Sequence, residues 1–217
     1  MNQQDLKRLV LLISGRGSNL IAIADAIDRK ELSAEIVLVV SNRVDATGLE
    51  LARARGLPVA VIESAGYADR EQFDQALADR LASFEADWIV LAGFMRILSD
   101  RFINRFAGQI VNVHPSLLPA FPGLHTHQRV LEAGLAEHGA SIHLVTAELD
   151  GGPLLGQVTM PVHAGDNVSS LARRVLEQEH RLYPEVLKLL VDGRLGLDNS
   201  GRLLLDGEPS AGVRMVG

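Results

Sequence analysis

A short segment in the middle of the chain places an amide beside an imidazole. Asn112 and His114 stand two positions apart at the end of an apolar run that predicts a strand over residues 109–113. Side chains two positions apart on a strand face the same side. An amide donor beside an imidazole suits acyl transfer, in which negative charge builds on a carbonyl oxygen. The alternative is a hydrogen-bonded structural histidine, and the residue types leave both interpretations open.

A carboxylate stands further along the chain, in the turn formed by residues 148–153, which reads ELDGGP. An aspartate followed by two glycines is common in surface turns. Asp150 therefore gains a chemical role only if the fold brings it to His114, which the sequence alone does not show.

A glycine-rich turn, SGRGSN at residues 14–19, joins the first predicted strand to the first predicted helix. Backbone N–H groups at a helix N-terminus attract anions, and glycine allows the backbone to approach a phosphate closely. A tight turn without a ligand is the alternative. A dinucleotide-binding fingerprint would place a third glycine at position 20, where this chain has leucine. The pattern therefore favours a single phosphate over a pyrophosphate.

Three other features are open to two interpretations each. The loop over residues 92–98 is apolar with one arginine, so it either lines a pocket for a flat ligand or packs the core. Glu179 falls on the apolar stripe of a long predicted helix, together with Val168 and Val175. It lies either in water at the edge of that stripe or against a ligand amine or hydroxyl. His125 and His127 are either metal ligands or loop histidines that hydrogen-bond to the backbone or to a ligand. They have no third ligand in a supporting pattern, so we expect no metal site.

Alternating elements position these residues in the first half of the chain. Apolar runs predict strands over residues 9–13, 36–40, 59–62 and 88–91, and amphipathic stretches predict helices over residues 19–27, 46–55 and 70–84. This alternation predicts the α/β class, an open, mostly parallel twisted sheet with helices on both faces and a Rossmann-like N-terminal half. Ligands bind at the carboxyl ends of the strands in such sheets.

The second half has a different pattern. It predicts strands over residues 140–146 and 154–162, a short helix over 128–136, a long helix over 167–190, and a terminal hairpin of residues 195–197 with 203–205. Without an internal repeat or a low-complexity linker, we expect one domain over residues 1–217. Its phosphate-binding half covers about residues 6–108, its catalytic half about 109–192 and its C-terminal tail about 193–217.

Composition excludes several classes of function. The 217-residue chain carries a net charge of −6 and no block of Lys or Arg, which argues against nucleic acid as the main partner. It has no cysteine, so disulfides and thiolate metal sites are excluded. The apolar run before Ser14 is too short for a signal peptide or a membrane span. We expect a cytoplasmic protein that acts on small molecules, and a homodimer is compatible with the sequence.

Taken together, the segments resemble the folate-dependent phosphoribosylglycinamide formyltransferases of purine biosynthesis. The matching segments, in the family's order from residue 11 to residue 184, are LLISGRGSNL, LAGFMRILS, VNVHPSLLPAFPGLHTH, HGASIHLVTAELDGGP and QEHRLYP. The NxHPSLLP segment together with the LDGG turn is specific for the wider formyltransferase fold. The GLHTH segment and the early GSN loop narrow the resemblance to the glycinamide ribonucleotide branch.

The resemblance implies transfer of the formyl group of 10-formyltetrahydrofolate, as co-substrate and without a metal, to the amine of N1-(5-phospho-D-ribosyl)glycinamide. It implies a catalytic trio of Asn112, His114 and Asp150. The implied ribonucleotide-binding residues are Gly17, Ser18, Asn19 and Glu179. The implied folate-binding residues are Arg70, Met95, Arg96, Ile97, Leu98, Thr146, Ala147, Glu148 and Leu149.

The chain departs from the commonest family pattern at three positions outside the trio. Arg16 replaces a frequent asparagine, Ala120 a frequent lysine and Ala147 a frequent aspartate. These changes bear on ligand affinity rather than on the reaction.

Two rival classes remain. Formyltetrahydrofolate hydrolases and initiator-tRNA formyltransferases share the fold, but their resemblance implies a further domain, for which we expect no room in this chain. A non-enzymatic nucleotide-binding module would need the glycine-rich turn but not the three residues of the trio together.

Overall fold

The computed structural model describes residues 6–217, which divide into two compact units, the first ending at Asn112 and the second covering residues 113–217. The strands of the first unit are β1 (Lys7–Ile13), β2 (Ala34–Ser41), β3 (Val59–Val61), β4 (Trp88–Leu91) and β5 (Ile110–His114), the last of which continues into the second unit. Its helices are α1 (Ser18–Asp28), α2 (Thr47–Ala54), α3 (Arg70–Ala82) and α4 (Asp100–Arg105).

The strands of the first unit are all parallel and lie in the order β3-β2-β1-β4-β5. β1 is the central strand, and its residues from Leu9 to Ile13 are all 0% exposed. Strands covered on both faces have continuous apolar runs, which explains why β1 was recognisable from the sequence. Leu20 of α1 and Leu77 of α3 complete this core at 0% exposed.

The second unit covers residues 113–217. Its elements are α5 (Thr126–Glu132), β6 (Glu137–Leu144), β7 (Leu154–Pro161), α6 (Val168–Val191), β8 (Leu195–Leu197), β9 (Leu203–Leu205), β10 (Glu208–Pro209) and β11 (Val213–Val216). β6 and β7 are antiparallel, and β11 pairs with β7 in parallel. β8, β9 and β10 form a separate three-stranded sheet, which contains the predicted hairpin.

The long helix α6 covers β6 and β7. It begins with a capping box, in which the Asn167 side chain accepts from the Ser170 amide and the Ser170 hydroxyl accepts from the Asn167 amide. Its buried face includes Leu182 and Val186, both 0% exposed. Val168, predicted on this face, is 46% exposed, because it lies in the first turn of the helix, beyond the packed part of the stripe.

The α/β class and the mostly parallel sheet are confirmed, and the differences concern element ends and short elements that were not predicted. α5 begins at Thr126 rather than at residue 128. β6 begins at Glu137 rather than at residue 140, because the backbone groups of Glu137 and Gly139 pair with β7 whatever the polarity of the side chains. α4 was not predicted, since six residues are too few to show a helical period. Within residues 6–217, no helix has both the length and the apolar character needed to cross a membrane.

Candidate active site

His114 and Asp150 meet in the second unit. His114 ends β5, and its Nδ1 lies 3.4 Å from Oδ2 of Asp150, with the two side chains only 7% and 9% exposed. Asp150 has a φ of 53°, in the left-handed region, which non-glycine residues adopt at a cost of about 1–2 kcal/mol. The structure therefore brings together two members of the predicted trio, and the aspartate does not lie in an open surface turn.

Two backbone groups of one loop, residues 115–123, orient this pair. The carbonyl oxygen of Phe121 lies 2.9 Å from His114 Nε2, and the amide of Gly123 donates to Asp150 Oδ2 at 2.8 Å. A carbonyl oxygen only accepts hydrogen bonds, so Nε2 carries a hydrogen. Both ring nitrogens of His114 thus face acceptors, an arrangement that an imidazolium satisfies fully.

A second histidine approaches the same carboxylate. His143 on β6 is 2% exposed, and its Nε2 lies 3.7 Å from Asp150 Oδ1. Its Nδ1 donates to the carbonyl oxygen of Leu144 at 2.9 Å. Burial lowers the pKa of His143, against the opposing effects of that hydrogen bond and of Asp150. His143 was not among the predicted site residues, although its position near the end of β6, close before the Asp150 turn, was a usable signal.

Two further histidines form a pair next to this group. His127 Nδ1 lies 3.0 Å from His138 Nε2, and His138 is 1% exposed. Burial, reinforced by the positive charges of His127 and His114, lowers the pKa of His138 to about 4. His127 thus bonds to another histidine, and within residues 6–217 no group of three or more His, Asp or Glu side chains is arranged to hold a metal ion.

The depressed pKa of His138 predicts an acid-sensitive fold. The unfolded chain binds a proton near the ordinary pKa of 6.5, whereas folded His138 binds one only near 4. Stability is therefore lost as the pH falls from about 6.5 towards 4, by about 2 kcal/mol between pH 7 and pH 5. Urea unfolding at both pH values measures the loss, and His138→Gln should show a loss smaller by about that amount. Equal losses in both proteins would contradict the prediction.

Asn112, the third member of the predicted trio, lies on β5 in backbone register with Leu91 of β4. It is half-buried and two residues before His114 on the same strand. Strand alternation therefore directs both side chains from the same face of β5.

The glycine-rich turn has the geometry of a helix N-terminus open to an anion. Gly17 is the N-cap of α1 with φ 74°, and having no side chain it supplies no acceptor to the first N–H groups of the helix. Ser18 begins α1, and Asn19 is 5% exposed. Phosphate groups bind at such positions through backbone N–H groups and the helix dipole.

Gly17 also packs against Gly48, a glycine outside the predicted motifs. A Cβ added at Gly17 would lie 2.7 Å from Cα of Gly48, in the first turn of α2. The amide of Gly48 donates to the carbonyl oxygen of Gly15 at 2.9 Å. The turn is therefore held in place by direct backbone contact with α2.

A cavity of about 590 Å³ lies next to Met95 and Arg96 in the first unit. Met95 and Ile97 are 70% and 60% exposed, so these apolar side chains are available to a ligand. The guanidinium of Arg96 lies over the Phe73 ring, 4.4 Å from its centroid. Leu98 differs from its predicted neighbours, because it is 4% exposed and belongs to the core. The other residues that line the cavity are Ser14, Asn42, Arg43, Val44, Asp45, Glu63, Ser64 and Ala65.

The remaining predicted binding residues are distributed over both units. Arg70 is exposed at the start of α3 in the first unit. Thr146, Ala147, Glu148 and Leu149 form the loop after β6 that leads to Asp150.

Glu179 on α6 is 7% exposed, so the interpretation that it lies in water at the edge of the apolar stripe is wrong. Its charge, together with the larger effect of burial, raises the pKa of Tyr183 one turn further along α6.

Comparison with known proteins places this geometry in a family. Residues 7–187 match the family model described as formyl transferase. The chain belongs to the formyl transferase family. This formyl transferase is 46% identical over 200 residues to the phosphoribosylglycinamide formyltransferase of Escherichia coli K12. The match covers 92% of the chain and 94% of that relative.

Two further relatives agree with this assignment. The chain is 42% identical over 201 residues to the trifunctional purine biosynthetic protein adenosine-3 of Gallus gallus, matching 93% of the chain and 20% of that longer protein. The solved structure of the phosphoribosylglycinamide formyltransferase of Coxiella burnetii, in complex with CHES, superposes with a TM-score of 0.91 at 42% identity. The match covers 97% of the chain and 99% of that structure. The resemblance that the sequence motifs indicated is therefore confirmed.

Proposed function

We propose that this formyl transferase moves the formyl group of 10-formyltetrahydrofolate to the amine of N1-(5-phospho-D-ribosyl)glycinamide in purine biosynthesis. The products are the N-formyl ribonucleotide and tetrahydrofolate. The observation that carries the proposal is the contact of Asp150 with His114, 3.4 Å apart and shielded from solvent, in a chain with this family membership. The names of the relatives, which match more than nine-tenths of this chain, support the ribosyl-glycinamide as acceptor. The folate donor follows from the resemblance of the sequence motifs.

The chemistry needs stabilisation of an oxyanion. The substrate amine attacks the formyl carbon, and the carbonyl oxygen becomes negatively charged in a tetrahedral intermediate. Asn112 would donate a hydrogen bond to that oxygen, and His114 would stabilise it as a cation, through the positive charge of its ring. One well-placed donor of this kind contributes about 3–4 kcal/mol.

Proton movement is the second requirement. The attacking nitrogen loses a proton, and the folate nitrogen gains one as its bond to the formyl carbon breaks. Asp150 would stabilise positive charge on His114 and move this proton directly or through water. Positioned proton transfer contributes a factor of about 10²–10⁴ in rate.

The two substrates are assigned to different residues. Gly17, Ser18 and Asn19 would bind the ribonucleotide phosphate at the start of α1, and Glu179 would contact the rest of the ribonucleotide. Met95 and Arg96, which line the cavity, would contact the folate, together with Arg70, Ile97 and the loop over residues 146–149. Both substrates are small molecules, and we propose that the protein acts on them in the cytoplasm.

An absorbance assay for tetrahydrofolate product tests the proposal. Product should form only when both 10-formyltetrahydrofolate and the ribosyl-glycinamide are present, and the formyl group should appear on the amine. Folate product and free formate in the absence of the amine would identify a hydrolase instead. No turnover under any condition would leave only a binding protein and refute the proposal.

A further inference from the structure

A hydrogen-bond network in the second unit, buried at Ser141 and Gln157, links the C-terminal strand to the loop that holds His114 and Asp150. Its side chains are Arg214 on β11, Gln157 on β7 and Ser141 on β6, and we call these three the loop network. The network ends on backbone groups of residues 116–118. None of its members was singled out by the sequence motifs.

Ser141 is the centre of the loop network and is 0% exposed. Its hydroxyl donates to the carbonyl oxygen of Ser116 at 2.6 Å and accepts from the amide of Leu118 at 3.0 Å. It also accepts from Nε2 of Gln157 at 2.9 Å. The one donor and both acceptor positions of the hydroxyl are therefore used.

Gln157 binds the loop from the neighbouring strand and is 9% exposed. Its Nε2 also donates to the carbonyl oxygen of Leu118 at 2.7 Å, so both backbone polar groups of Leu118 are held. Its Oε1 accepts from the guanidinium of Arg214, which lies directly opposite in the parallel pairing of β11 with β7. An amide side chain can turn over, and the arginine fixes which end faces the loop.

The held segment leads directly to the catalytic pair. The Ser116 hydroxyl donates to the carbonyl oxygen of Ala120 at 2.7 Å, which closes the turn over residues 116–120. The next residues supply the carbonyl oxygen of Phe121 to His114 and the amide of Gly123 to Asp150. A shift of residues 116–120 would therefore move both groups that orient the pair.

We propose that Gln157, oriented by Arg214, is a positioning residue for formyl transfer. It acts through the loop over residues 116–123, which sets the geometry of His114 and Asp150. The role of Gln157 in catalysis rests on the proposed function, whereas its role in ordering the loop does not. A displacement of about 1 Å at a reacting group can lower a rate by about 10²-fold, so a side chain that touches no substrate can control kcat.

The test compares Gln157→Met with Thr159→Val, a control on the same strand and the same face. Methionine keeps the length of glutamine but removes its donor and acceptor. We expect Gln157→Met to lower kcat by about 10- to 100-fold, with both KM values within about threefold of wild type. Amide hydrogen exchange at Leu118 and Gly123 should accelerate by about tenfold or more, while amides of the β6 core stay unchanged. Thr159→Val should match wild type in every measurement.

Arg214→Met and Arg214→Lys provide a second pair of variants on the exposed edge strand, where folding is not at risk. Arg214→Met should lower kcat less than Gln157→Met does. Arg214→Lys should restore most of the loss, because an ammonium group can still donate to Oε1. If Gln157→Met does not fold, the kcat values of Arg214→Met and Arg214→Lys alone test whether the loop network positions the loop for catalysis.

Two results would overturn the proposal. One is a kcat of folded Gln157→Met that stays within about twofold of wild type. If Gln157→Met does not fold, the same kcat in Arg214→Met has this meaning. The other is exchange that accelerates equally in the loop and in β6, which would indicate general destabilisation. Wild type is assayed first: absence of formyl transfer refutes the proposed function, and the exchange measurement then still decides whether Gln157 and Arg214 order the loop.

Discussion

Asp150→Asn should reduce formyl transfer by about 10³-fold or more while the fold and ribonucleotide binding stay nearly intact. Asparagine has the shape of aspartate, and its amide oxygen can still accept from the Gly123 amide, which now lies 2.8 Å from Oδ2. The loop is therefore retained. The negative charge 3.4 Å from His114 Nδ1 is lost, and so is the group proposed to move the proton.

The measurement combines kcat, the KM values, a thermal melt and calorimetric binding of the ribonucleotide. Asp192→Asn is the matched control, because it makes the same chemical change at the exposed C-cap of α6. The control should retain wild-type kcat. If Asp150→Asn kept more than about a tenth of the wild-type kcat, Asp150 would have no central part in the reaction.

The central strands of the first-unit sheet were predictable because they are covered on both faces. A run such as Leu9–Ile13, fully buried, has no polar residue to obscure it. The predicted bounds of β4 agree with the structure for the same reason. Shorter or more polar elements lack this signal: β11 alternates half-buried and exposed residues, and it exists because β7 offers an unpaired edge.

The residue types of the site were predictable, but its geometry was not. The pairing of Asp150 with His114 depends on a left-handed residue at position 150 and on a loop whose Phe121 also has a positive φ of 55°. No local pattern specifies these backbone conformations, because they are imposed by tertiary contacts. The approach of His143 to Asp150 is likewise a tertiary contact, between a residue of strand β6 and a residue of a turn.

The glycine-rich turn shows how a packing requirement can determine ligand affinity. Gly17 must adopt a φ of 74° and must also leave room for the Cα of Gly48, which packs directly against it. The first condition alone costs about 1–2 kcal/mol for an L-residue. The second cannot be relieved by side-chain rotation, because the Cβ of an alanine would meet a backbone atom at 2.7 Å. Gly17→Ala must therefore move the turn relative to α2.

The expected result of Gly17→Ala is a KM for the ribonucleotide raised by about 10²-fold, equivalent to about 2.7 kcal/mol. The KM for the folate and kcat at saturation should change by less than about threefold, because His114 and Asp150 belong to a different segment. Steady-state kinetics with each substrate varied in turn measures the three values.

Gly15→Ala is the control that separates packing from the mere loss of a glycine. It makes the same substitution in the same turn, but a Cβ at Gly15 meets nothing within 4 Å, and Gly15 is not among the positive-φ residues. Its KM for the ribonucleotide should stay within about threefold of wild type. If the two variants weaken ribonucleotide binding equally, glycine flexibility is what matters and the contact with Gly48 is incidental. If only Gly17→Ala does so, α2 holds the turn in the conformation that binds the phosphate, although it contributes no ligand contact of its own.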